Sequence, residues 1–194
     1  MRKIIQTMDK LPSWCGICII ILYSMLTAEY SRLILYAFPF KNILEDIFSI
    51  FIGISFIVYF LSGFVVWIIY ALLFYLTARL FGGNASFNNF LYLSSYSYIA
   101  PIIMLIISIV MLDNVQIQSI EASNINIENS IMELMENKSF RLARKMIDIS
   151  FILYYLMIVI FINYLFKIKY IFAILSVLIP VISLWLITEF FKFI

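Results

Sequence analysis

Apolar residues fall into five long runs along this chain, and the polar positions between them are few and clustered. A helix needs ~20 mostly apolar residues to cross a bilayer. Five stretches approach or exceed that, at residues 12–28, 47–78, 90–112, 149–166 and 170–191. The second holds no charge, and at 1.5 Å per residue its helix would be about 48 Å long against a hydrocarbon core of ~30 Å. It is predicted to tilt, to protrude or to begin in the interface. Lys167-Ile168-Lys169 makes the fourth and fifth runs a tight hairpin. Pro12 near the start of the first run costs little there, and Pro180 falls inside the fifth. The pattern predicts an all-α polytopic integral membrane protein, with five transmembrane helices in one bundle forming a single domain over residues 1–194.

The only interior stretch where Gly, Asn and Ser cluster is Leu76 to Pro101. Gly82-Gly83 is expected to end the second helix, since glycine takes the left-handed conformation without a Cβ penalty. Asn84 and Ser86 are candidate acceptors for the free N–H groups of the next helix. Pro101 is expected to interrupt that helix about four turns on.

Two connections are longer. Residues 29–46 include SRLILYAFPFKN, too short to span and expected to lie along the headgroups. Residues 113–148 form the one sizeable polar loop. Its first part alternates apolar and polar positions and reads as extended. Residues 128–147 read as an amphipathic helix with Ile131, Leu134, Met135, Leu142 and Met146 near one face. Glu128, Glu133 and Glu136 come early, and Lys138, Arg141, Arg144 and Lys145 late, an order that suits the helix macrodipole. Those four cations are the candidate contact for a partner or for lipid headgroups.

Composition sharpens the class. Of 194 residues, 65% are hydrophobic and 12% charged, and the mean hydropathy is +1.08. A soluble domain carries about 25% charged residues, so the bilayer is the fitting solvent. A net charge of +2 gives no sign of a nucleic-acid partner. The chain has no histidine, which removes the commonest general base and metal ligand. With five spans the termini lie on opposite faces. A cytoplasmic N-terminus puts six basic residues inside (Arg2, Lys3, Lys10, Arg79, Lys167, Lys169) and seven outside, so the count is level. Arg2, Lys3 and Lys10 ahead of the first helix favour a cytoplasmic N-terminus.

Candidate chemistry is sparse. Trp14-Cys15-Gly16-Ile17-Cys18 places two thiols one helical turn apart, as a thiol–disulfide exchanger requires. The βαβ setting of such enzymes is missing, and quinone-linked membrane thiol oxidases use a second cysteine pair that this chain lacks. A metal site would need further ligands, and no cofactor is implied. Arg79, Asp148, Glu189 and Lys192 all fall near span ends, whereas ion and proton pathways place charges at depth. Ser55, Tyr59, Ser62 and Gly63 on the second span, and Ser94, Ser95 and Ser97 on the third, are expected to be helix-packing faces.

Arg79-Leu80-Phe81-Gly82-Gly83-Asn84-Ala85-Ser86-Phe87, followed by Tyr96-Ser97-Tyr98 and Pro101, resembles the core of the Yip family, the Ypt-interacting proteins. Members show Gly-Gly-x-x-Ser-Phe after the second span, then a Gly-Tyr-Ser-like segment and a proline in the third. Ser95 stands where the family often has glycine. The resemblance singles out Gly82, Gly83, Ser86, Phe87, Tyr96, Ser97 and Pro101, and implies a five-helix bundle with a cytoplasmic N-terminus. Eukaryotic members bind Rab-type GTPases through a cytosolic N-terminal region, for which the few residues ahead of the first span leave little room. The Ile-, Asn-, Lys-, Phe- and Tyr-rich composition suits an AT-rich bacterial genome, hence a bacterial cytoplasmic membrane. Bacterial members are non-enzymatic accessory proteins, some associated with transporters or with resistance to envelope-acting peptides. The expectation is therefore a non-enzymatic protein that binds partners in the bilayer: an ABC-type transporter, another membrane protein or itself. A small autonomous transporter or channel is the alternative, with a path between helices kinked at Pro101 and Pro180. A thiol oxidoreductase using Cys15 and Cys18 is the lesser one.

Overall fold

The computed structural model describes residues 2–36, 45–112, 132 and 134–192. A short helix α1 (Arg2–Asp9) precedes α2 (Ser13–Tyr36). There follow α3 (Glu45–Leu80), α4 (Phe87–Ser95), a 3-10 turn over Tyr96–Tyr98 and α5 (Ile99–Leu112). The chain closes with α6 (Lys138–Phe166) and α7 (Tyr170–Lys192). Among the described residues there is no strand. Among the described residues, five helices are long and apolar enough to cross a membrane: Ser13–Tyr36, Phe48–Leu80, Phe87–Leu112, Lys138–Phe166 and Tyr170–Phe191. The protein is an all-α polytopic membrane protein. In lipid a spanning backbone must satisfy its own polar groups, and the helix does so within one segment.

The runs are longer than the sequence pattern marks. The first span continues past Ala28 to Tyr36, because Glu29 and Arg32 pair one turn apart on the helix and the Arg32 guanidinium lies 5.6 Å from the Tyr36 ring centroid. The segment expected along the headgroups is thus helical to Tyr36, and its remaining part, residues 37–44, lies outside the described residues. The fourth span begins at Lys138 instead of residue 149. Asn137 Oδ1 accepts from the backbone N–H groups of Ser139 (2.9 Å) and Phe140 (3.2 Å), a side-chain N-cap that starts the helix there. No breaker follows before Phe166, so residues 138–147 belong to the spanning helix. The extended segment expected after residue 113 lies outside the described residues, as do residues 128–131 and Glu133.

Chain contacts divide the molecule into two compact units. The first comprises residues 1–20, 65–99 and 152–194. Its interior is filled by Phe74, Phe90, Tyr98, Ile158, Phe161 and Ile162, all essentially without exposure. The rings meet edge to face, with Tyr98–Tyr154 centroids at 4.8 Å and Phe90–Phe166 at 5.5 Å, the arrangement that aromatic quadrupoles favour. The buried indole of Trp67 is answered within the unit. Trp67 Nε1 donates to Ser94 Oγ (3.1 Å), which itself donates to the Leu91 carbonyl (2.7 Å).

Pro180 lies inside α7 and brings no N–H to the carbonyl of Ser176. Thr77 Oγ1 donates to that carbonyl at 2.7 Å, so a neighbouring helix satisfies the group that the proline strands.

The second unit comprises residues 21–64 and 100–151. Leu112, Leu134, Phe140 and Ala143 form its buried cluster, with Tyr30, Leu33 and Ile34 packed against it. A Cβ on Gly63 would overlap the Ser24 hydroxyl and lie 2.8 Å from Ser24 Cβ, so glycine permits this close crossing of α2 and α3.

Candidate functional site

The double glycine ends α3 as a Schellman motif. Gly82 has φ +83° and its N–H donates to the Arg79 carbonyl (3.0 Å). The N–H of Gly83 donates to the Ala78 carbonyl (3.1 Å), which completes the 5→2 and 6→1 pair. The two glycines are needed for different reasons. Gly82 has open space around its missing Cβ but a backbone that L-residues avoid. A Cβ on Gly83 would meet Phe166 Cδ1 at 2.7 Å and Phe166 Cβ at 2.8 Å. Phe166 in turn packs on Tyr75 (5.7 Å) and Phe90, and Tyr75 packs on Phe87 (5.2 Å). The turn is thereby clamped by four rings from α3, α4 and α6.

Ser86 occupies the N-cap position of α4, with φ −75° and ψ 134°, and its carbonyl accepts from the Phe90 N–H (3.1 Å). Its side chain makes no capping bond, so the expected hydroxyl cap is absent. The expected interruption at Pro101 comes earlier in the chain. Pro101 lies buried in the first turn of α5, and the backbone tightens into the 3-10 turn at Tyr96–Tyr98 ahead of it. Without a proline N–H, the Ser97 carbonyl loses its i+4 donor, and a tighter turn accommodates the loss. Tyr96 packs against Ile5, Leu93 and Phe161, whereas the buried Ser97 hydroxyl has no hydrogen-bond partner.

Two of the serines expected to offer a packing face on the third span, Ser94 and Ser95, are engaged inside the chain. Ser94 serves Trp67, and Ser95 Oγ would lie 2.6 Å from a Cβ on Gly16, where α2 crosses α4. On α3, Gly63 is buried, whereas Tyr59 and the apolar Ile54, Ile57, Val58 and Leu61 are exposed. Cys15 and Cys18 are free thiols one turn apart; Cys15 packs against the Ile5–Phe161 cluster and Cys18 is exposed. Among the described residues no three Cys, Asp or Glu side chains are grouped as a metal site would need.

Lys138, Arg141, Arg144 and Lys145 stand exposed on the first two turns of α6, opposite the buried Phe140 and Ala143. They belong to the second unit, and the Gly82–Ser97 residues to the first.

Sequence reasoning missed α1 and the cleft it helps to form. Ile5 and Met8, three residues apart, dock the helix onto Leu93, Tyr96 and Phe161. That spacing was the available signal. A cleft of about 710 Å³ opens between α1 and the α6–α7 connection. Its polar wall is Gln6, Asp9, Asn163 and Lys167. A second cleft of about 180 Å³ runs on the other side of Asp9, toward Pro12, Gly16 and Tyr92. Lys167 has φ +55°, and Asn163 Nδ2 donates to the Ile168 carbonyl (2.7 Å), which pins this connection. Compared with protein-family profiles, with curated proteins and with solved structures, the chain gives no match.

Proposed function

We propose that this chain is a non-enzymatic membrane protein of the Yip type that works by binding other membrane proteins, as an accessory subunit of a transporter or of a system resisting envelope-acting peptides. One observation carries the reading. The interior of the first unit is filled with interlocking rings and branched aliphatic side chains, and its polar groups are serines and a threonine bonded chiefly to helix carbonyls. Such an interior supports a framework whose working surface faces outward. Near Pro180, Thr77 answers the freed carbonyl, a bond that supports a closed packing of α3 on α7 over an ion path there.

The outward surface is the long α3, which carries no charge over residues 47–78 and whose 36 residues would reach about 54 Å at 1.5 Å per residue. That excess over the ~30 Å core favours a helix that tilts against a partner. A bacterial cytoplasmic membrane with the N-terminus inside is the setting that fits Arg2, Lys3 and Lys10. The partner is an ABC-type transporter, another membrane protein or a second copy. Purification from the native membrane in mild detergent, with mass spectrometry of what accompanies the chain, tests this. A stoichiometric membrane partner, or a defined homo-oligomer without ion flux in proteoliposomes, upholds it. Flux by the purified chain alone would replace it with a channel or transporter.

A further inference from the structure

The cleft beside α1 has the chemistry of a lipid site. Its walls combine apolar Ile5, Ile160, Leu165 and Ile168 with the opposite charges of Asp9 and Lys167. Among the described residues neither charge is paired, although both line the same space. The cleft is formed by the last turn of α6, the first residue of α7 and the helix that precedes α2. The α6 and α7 residues are ends of helices long and apolar enough to span, which places the cleft at headgroup depth. Tyr164 and Tyr170 on its wall are the residue type that favours this depth. Its volume of about 710 Å³ falls within the ~300–1,000 Å³ of small-molecule sites.

We infer that this cleft binds a zwitterionic phospholipid whose headgroup carries a primary amine, of the phosphatidylethanolamine type. The ammonium of the headgroup pairs with the Asp9 carboxylate and its phosphate with Lys167. A primary ammonium brings three N–H donors, which suits a carboxylate beside the Gln6 amide; a quaternary choline brings none. The apolar walls take the upper part of the acyl chains. A purely anionic lipid would leave Asp9 facing phosphate. The inference does not depend on the partner-binding reading, since it concerns a lipid and a different surface.

The test is native mass spectrometry of the full chain from nanodiscs. These hold equal parts of phosphatidylethanolamine, phosphatidylcholine and phosphatidylglycerol. The wild type should retain the ethanolamine lipid roughly threefold over each of the others, the factor expected of one partly exposed ion pair. Asp9→Asn should abolish the preference over choline lipid. Lys167→Gln should lower retention of both zwitterionic lipids, while Lys169→Gln, outside the cleft, should change nothing. Soluble glycerophosphoethanolamine should fail to displace the lipid. Equal retention of all three lipids, a preference for the glycerol lipid, an equal loss with Lys169→Gln, or displacement by the soluble headgroup would each overturn the assignment. All three replaced side chains are exposed, so the variants fold.

Discussion

Replacing Gly83 by alanine separates two ways in which a glycine can be required. Gly82 and Gly83 are adjacent, but only Gly82 has a positive φ. At Gly83 the obstacle is contact: a Cβ would sit 2.7 Å from Phe166 Cδ1, 2.8 Å from Phe166 Cβ and 2.9 Å from the Ala78 carbonyl oxygen. Two of those atoms are not the free end of a flexible side chain. The Phe166 ring is further held by Tyr75 and Phe90. Overpacking of this kind costs about 1–3 kcal/mol. For a chain of this size each kcal/mol moves the midpoint by about 2–4 °C, so Gly83→Ala should melt roughly 2–12 °C below wild type. At Gly82 the obstacle is backbone conformation, at about 1–2 kcal/mol for alanine. Asparagine tolerates the left-handed region better. The two positions should therefore respond oppositely to a larger residue. Gly82→Asn should be milder than Gly82→Ala, and Gly83→Asn at least as severe as Gly83→Ala. Thermal unfolding of the four variants in one detergent measures this. Gly83→Ala at the wild-type midpoint, or asparagine relieving position 83 as it does 82, would refute the steric account.

Thr77→Val should cost about 1 kcal/mol by stranding the Ser176 carbonyl. In a Pro180→Ala background that cost should shrink, because residue 180 then brings its own N–H; an equal cost in both backgrounds counts against the bond. Ser94→Ala leaves the Trp67 N–H unanswered in a buried site and should cost about 1–3 kcal/mol, read as a lower midpoint. Asn137→Ala removes the cap of α6 and should cost about 1 kcal/mol, with faster amide exchange confined to the first turn. Cys15→Ser with Cys18→Ser should leave partner recovery and membrane level unchanged if the thiols carry no redox chemistry.

The five spans were legible because lipid imposes a length and a composition that few sequences meet by accident. The turn at Gly82 was legible because a left-handed C-cap admits few residues. The span ends were less so. Asn137 starts α6 well before the apolar run begins, and hydropathy cannot distinguish a charged first two turns from a separate helix. The Glu29–Arg32 pair carries α2 past Ala28 in the same way. The serines of the third span were marked as a packing face, and the packing proved internal, because Trp67 and Gly16 already occupy Ser94 and Ser95. The cleft was not legible at all. It joins residues from both ends of the chain, Asp9 and Lys167, and α1 is too short to stand out beside the spans.

Site-specific photocrosslinking in the native membrane tests most directly whether the outward faces bind protein. A photoreactive residue is placed in turn at Ile54, Ile57, Val58 and Leu61 on α3 and at Ile182 and Leu186 on α7, all exposed. Partner binding through α3 predicts a discrete protein adduct of one mass from adjacent α3 positions, with lipid adducts from α7. Lipid adducts alone from every position would contradict it.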